Sequence, residues 1–150
     1  MPTEHISAKE FRITQGLNVR GVSDVKSSKV KDKMNKWEQE YANLLSVLQR
    51  AGSIKSFRTM ADKEKPLLQM TKNCKYTPDF IVTTNDEKTI VIEVKALGCR
   101  DRYSASILRF RISADLFPQY RFIMVTKKDG AWVTMYDVNK EAARLPLELC

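Results

Sequence analysis

The chain has 150 residues, 43% of them hydrophobic and 29% charged, with a net charge of +8. That is the profile of one globular domain able to bury its own core. One histidine and three cysteines, Cys74, Cys99 and Cys150, in no paired spacing argue against a disulfide framework, a zinc site and histidine-based catalysis. No apolar run is long enough for a membrane span and the N-terminus lacks the apolar centre of a signal peptide, so a reducing, intracellular setting without secretion is expected.

Along the chain, residues 1–28 mix Gly, Ser, Thr and isolated apolar residues without a period, and read as a basic, partly flexible extension before a domain over 29–150. Ser28 or Asp32 is the expected cap of a helix running to Arg50, with Met34, Trp37, Tyr41, Leu44, Leu45 and Leu48 on one face. Gly52 follows as a stop signal. "SIKSFRTM" reads as an edge strand, "LLQM" as a short strand and "TKNCK" as a loop. Two strands follow, Asp79 to Thr84 and Thr89 to Ala96, joined by "NDEK". A helix from about Ser104 to Phe117, ended by Pro118, carries two apolar stripes. Ile107, Phe110, Ala114 and Phe117 make one; Leu108, Ile112 and Leu116 make the other, suggesting cover on two sides, by the sheet and by a second protomer. "RFIMVT", the turn "KKDG" and "AWVTMYDV" form a hairpin, and the tail holds one helical turn. This order predicts an α/β sandwich with a mixed central sheet flanked by helices.

The charge is unevenly spread. Residues 1–36 are net +4, residues 49–75 net +5 and residues 97–128 net +5, whereas 37–48, 76–96 and 129–150 are each net −2. Basic blocks thus flank the segments holding Glu38, Glu40, Asp79 and Glu93. A basic surface around a small acidic centre suits a polyanion held over a divalent metal.

The stretch "YTPDFIVTTNDEKTIVIEVKALG" carries the sharpest signal. With a three-residue loop from Asn85 to Glu87, Thr84 faces Lys88 and Asp79 faces Glu93, with Cβ atoms roughly 5 Å apart. Side chains alternate, so Lys95 shares the face of Glu93 while Phe80, Val82, Ile92 and Val94 point the other way. Two carboxylates that close repel each other and need a counter-charge. Mg²⁺ fits, because it keeps waters and takes one or two protein carboxylates. Lys95 is then placed to orient or deprotonate a water, or to neutralise a transition state.

These residues carry a resemblance. Pro78-Asp79 followed by Glu93-x-Lys95 resembles the signature of the PD-(D/E)XK nuclease superfamily, and "KYTPDF…IEVKALG" is most similar to its phage junction-resolving enzymes of the endonuclease I type. From "WEQEYANLLSVLQRAGSIKSF" onward the chain also looks like small phage proteins described as Holliday-junction resolvases. The resemblance implies a restriction-endonuclease-like sandwich and a Mg²⁺-dependent endonuclease, with Mn²⁺ as a substitute and no organic cofactor. Asp79, Glu93 and the Val94 carbonyl would be metal ligands and Lys95 the catalytic lysine. It also implies branched DNA as substrate, a homodimer with two sites, and the cytoplasm of an infected host cell.

The family further uses a glutamate from the preceding helix. Glu38 and Glu40 flank the apolar stripe at similar angles, so periodicity does not choose; spacing to "AGSI" favours Glu38 by resemblance. Arg100, Arg102, Arg109, Arg111 and Lys36 are expected to hold DNA phosphates. Trp37, Tyr41, Trp132 and Tyr136 read as core. The rival readings are a nicking or strand-specific nuclease of defence, transposition or packaging, a non-catalytic DNA-binding protein on a nuclease scaffold, and a protein-interaction module with incidental charge.

Overall fold

The computed structural model of the chain describes residues 34–64, 66–96, 105–146 and 149. The expected N-terminal extension, Ser28, Asp32, Cys99, Arg100 and Arg102 lie outside the described residues. In chain order the elements are α1 (Lys36–Arg50), β1 (Ser56–Thr59), β2 (Leu68–Thr71), β3 (Cys74–Tyr76), β4 (Phe80–Thr83), β5 (Thr89–Lys95), α2 (Ala105–Leu116), β6 (Arg121–Lys128), β7 (Ala131–Val138) and a 3₁₀ turn (Lys140–Ala142).

Helix α1 begins later than its apolar periodicity suggests, because a reciprocal cap fixes its start. Asn35, in extended backbone, accepts from the N–H groups of Trp37 at 2.9 Å and Glu38 at 3.0 Å, and the Glu38 carboxylate accepts from the Asn35 N–H at 2.8 Å. This is a capping box with Asn in the leading place. At the other end Gly52, at φ +76°, takes the left-handed conformation that lets the Ser53 N–H reach the Leu48 carbonyl at 2.9 Å.

The sheet has five strands in the order β1-β4-β5-β6-β7. Only the β5–β6 pair is parallel; the other neighbours run antiparallel. The architecture is therefore α/β with a mixed sheet and helices on both faces, as expected. On one face Tyr41, Leu45 and Leu48 of α1 pack against Phe80, Val82, Ile90, Ile92, Val94, Ile123 and Val125. On the other, Ile107, Phe110 and Ala114 of α2 pack against Ile81, Val91, Phe122 and Met124. Each fully buried Leu, Ile or Phe in these layers stabilises the fold by about 1.5–3 kcal/mol.

Several details differ from the sequence reading. "TKNCK" is not a plain loop: Cys74–Tyr76 pairs with Leu68–Thr71 as a separate two-stranded hairpin, which lays Leu68 and Tyr76 into the α2-side core. Strand β4 starts at Phe80, so Asp79 stands just ahead of it. Strands β6 and β7 run longer than expected and leave a two-residue turn, Asp129–Gly130, with φ +51° and +82°, which matches the twist of the hairpin. Of the two stripes of α2, Ile107, Phe110 and Ala114 are buried, while Leu108, Ile112 and Leu116 are exposed. No helix among the described residues is long and apolar enough to cross a membrane.

Candidate functional site

The loop between β4 and β5 sets the register on which the site depends. The Thr84 N–H donates to the Lys88 carbonyl at 2.9 Å, the Lys88 N–H donates to Thr84 Oγ1 at 3.0 Å, and Glu87 takes φ +62°. These contacts close a three-residue loop over Asn85, Asp86 and Glu87. Phe80 then pairs with Ile92, Ile81 with Val91 and Val82 with Ile90. One step further along that register brings Asp79 opposite Glu93.

The acid pair is pinned by neighbours of three kinds. The Val94 N–H donates to Asp79 Oδ2 at 2.7 Å. Glu93, only 5% exposed, accepts from the Lys95 ammonium at Oε1, 2.6 Å, and from the Tyr76 hydroxyl at Oε2, 2.7 Å. One lysine therefore stands against two carboxylates, Glu93 buried and Asp79 half-buried. Burial, and then the negative charge of Glu93, push the Asp79 carboxyl up to about 8, against a smaller lowering by the Val94 N–H; Glu38 raises it further and Lys95 lowers it. Burial and the Glu93 charge hold the Tyr76 phenol far above its ordinary range, so it remains a hydrogen-bond donor.

The two helix acids separate by their partners. Glu40 forms an ion pair with Lys127 on β6, whose hydrogen bond lowers the Glu40 carboxyl. Glu38 is the acid whose charge reaches Asp79, but its carboxylate also closes the α1 cap on Asn35. Glu38 thus lies on the site side of α1 while serving its own helix. Among the described residues, no group of three or more His, Cys, Asp or Glu side chains is gathered closely enough to hold a metal ion.

Asp79, Glu93, Val94 and Lys95 are therefore brought together as expected, with Glu38 near Asp79. Lys36 is exposed at the first turn of α1 and lines a groove with Asn35, Trp37, Val94 and Ala96. Arg109 and Arg111 are exposed on α2; the Arg111 guanidinium lies over the Tyr136 ring, 5.0 Å from its centre, so part of its role is packing. Tyr41 and Trp132 meet edge to face at 4.9 Å and belong to the core layer, as expected. Tyr76 is the site residue that sequence reasoning missed. Its one signal was an aromatic three residues ahead of Asp79 in "YTPD".

The end of the sheet that holds the acids is also basic. The carboxyl ends of the parallel pair β5 and β6 carry Lys95, Lys127 and Lys128, and α1 starts there with Lys36. Ligands of α/β sheets characteristically sit beyond the carboxyl ends of parallel strands. No protein-family model matches the chain, and no curated protein or solved structure is significantly similar to it.

Proposed function

We propose that the chain is a metal-dependent endonuclease that hydrolyses DNA phosphodiester bonds, on a restriction-endonuclease-like sandwich of the PD-(D/E)XK type. The observation that carries this reading is the facing pair Asp79 and Glu93, with Lys95 on Glu93 and one lysine too few to neutralise both acids. Buried like charges are costly unless something positive joins them.

The donor set fits a hydrated, hard divalent cation of the Mg²⁺ kind, which is content with one or two carboxylates. Asp79, Glu93 and the Val94 carbonyl would hold it, with Glu38 the nearest further acid, and bound there it supplies an acidified water and positive charge beside a phosphate. Val94 orients Asp79 through its N–H, and Tyr76 fixes the plane of the Glu93 carboxylate. Lys95 contributes a positive charge at the phosphate. The lysines at the ends of β5 and β6 and at the start of α1 draw in the polyanion. Branched DNA is the proposed substrate, and cutting both strands at a junction calls for a homodimer. The motif resemblance, an infected-cell setting and phosphate contacts from Arg100, Arg102 and Arg109 belong to the same proposal.

The deciding experiment incubates the protein with a four-way junction, a nicked duplex and linear DNA, in Mg²⁺, Mn²⁺ or EDTA. Cleavage is expected with either metal, none in EDTA, and none by Asp79→Asn. Intact DNA in every metal lane would sink the reading; equal cutting of linear DNA and the junction would replace junction resolution with a nicking or general nuclease.

A further inference from the structure

We propose that the groove between the start of α1 and the end of β5 receives a single unstacked nucleobase from the nucleotide beside the phosphate that is cut. This inference rests on the nuclease reading and adds to it the feature of DNA that is recognised.

The groove has a volume of about 220 Å³ and is lined by Asn35, Lys36, Trp37, Val94 and Ala96. Pockets for organic cofactors run to about 300–1,000 Å³, so this one suits a single flat ring system. Its lining combines an indole, a valine and an alanine with an exposed lysine. Trp37 is half-buried: it packs against the α1-side core and also lines the groove. Lys36 is exposed; its charge acts on Glu40 one turn along α1, and its ammonium stays open to solvent at the groove, where a phosphate can meet it.

Location ties the groove to the chemistry. Val94 is both a wall of the groove and the residue whose N–H holds Asp79 at 2.7 Å. Its side chain joins the α1-side core, whereas its neighbours Glu93 and Lys95 meet each other on the opposite face. A nucleotide with its phosphate at the acid pair can therefore send its base across the strand end to Trp37. A paired base inside a duplex cannot make that excursion cheaply. A base at a branch point, mismatch or frayed end can, because its unstacking is already partly done.

The groove is poor at reading base identity. The Asn35 carboxamide, its one neutral polar side chain, is engaged by the Trp37 and Glu38 N–H groups and by the Glu38 carboxylate. Recognition is left to stacking, which any base satisfies and which contributes about 1–3 kcal/mol per base. Structure selectivity without sequence selectivity follows.

The test measures binding in EDTA of a duplex carrying one unpaired 2-aminopurine and of the same duplex fully paired. Wild-type protein is expected to prefer the unpaired form and to quench the 2-aminopurine. Trp37→Leu is expected to lose about 5- to 150-fold of affinity for the unpaired form and little for the paired one, with Trp37→Phe close to wild type. Equal loss on both DNAs, or no loss, would overturn the proposal. If Trp37→Leu does not fold, the wild-type quench decides, and its absence overturns the proposal too. A wild type that binds and cuts DNA but shows no preference for the unpaired base overturns this inference alone; a wild type that binds neither DNA overturns it together with the nuclease reading.

Discussion

Tyr76 and Glu93 belong to different sheets, yet the tyrosine hydroxyl donates to the glutamate Oε2 at 2.7 Å. Lys95 takes the other oxygen at 2.6 Å, so both oxygens of a buried carboxylate are held by fixed donors. The small β2–β3 hairpin thereby becomes part of the site: its last residue sets the orientation of an acid on the main sheet.

Tyr76→Phe removes one hydroxyl and leaves the ring in the core. Because it unpairs one oxygen of a buried charge, it should cost about 1.5–3 kcal/mol of stability. It should also slow cleavage by about 10- to 100-fold, the usual effect of losing a group that orients a metal ligand. Denaturant unfolding and turnover on a junction substrate check both. Unchanged turnover would reduce Tyr76 to a packing residue.

Asp79→Asn should trade function against stability. The Asp79 carboxyl holds its proton up to about pH 8 in the folded chain, against an ordinary value of 3.8. Between those values the folded state binds more protons than the unfolded one, so metal-free stability should fall as pH rises from about 4 to 8. The asparagine can still accept from the Val94 N–H and carries no charge. It should flatten that slope and raise the metal-free Tm at pH 8 by on the order of 5 °C, while cleavage falls by at least about 100-fold. Mg²⁺ should raise the Tm of the wild type and not of the variant. Thermal melts across pH, with and without Mg²⁺, read all of this.

Strict alternation across "FIVT" and "TIVIEVK" gives the register of the acid pair in the sequence only once a three-residue loop is supposed; the loop length itself comes from the Thr84–Lys88 hydrogen bonds. The hairpin that brings Tyr76 was not legible there. Its second strand is three residues long, follows the turn-like "TKN", and gains its place only by burying Leu68 and Tyr76 against α2. The true start of α1 was hidden in the charged run "KDKMNK", where the Asn35–Glu38 pair decides. No periodicity could separate Glu38 from Glu40, since the difference comes from Lys127, a residue 87 positions away that claims Glu40.

That tertiary contact makes the two glutamates separable by experiment. Glu38→Gln keeps the α1 cap, because glutamine serves at the third position of a capping box as glutamate does, yet deletes the charge felt by Asp79. It should lower cleavage about tenfold with little change in Tm. Glu38→Ala should lose cleavage to the same extent and about 1 kcal/mol of stability with the cap. Glu40→Gln removes a half-buried ion pair with Lys127 and should leave turnover near wild type. A larger loss for Glu40→Gln than for Glu38→Gln would transfer the role to Glu40.

The β4–β5 loop offers a test of the register itself, at the end of the strands remote from the acids. Glu87 adopts φ +62°, which costs an L side chain about 1 kcal/mol or more in steric strain that glycine escapes, a gain larger than glycine's extra entropy loss. Its ion pair with Lys55 is exposed on both sides and offsets little of that strain. Glu87→Gly should therefore raise Tm by a few degrees and leave cleavage unchanged. Deleting Asp86 instead leaves two residues between Thr84 and Lys88, a length that a tight hairpin turn spans with the same residues facing. The deletion should therefore keep Asp79 opposite Glu93 and keep cleavage. A slip by one would turn Glu93 and Lys95 toward the α1 face, so a deletion variant that folds but no longer cuts DNA would show that the Thr84–Lys88 closure does not hold the register.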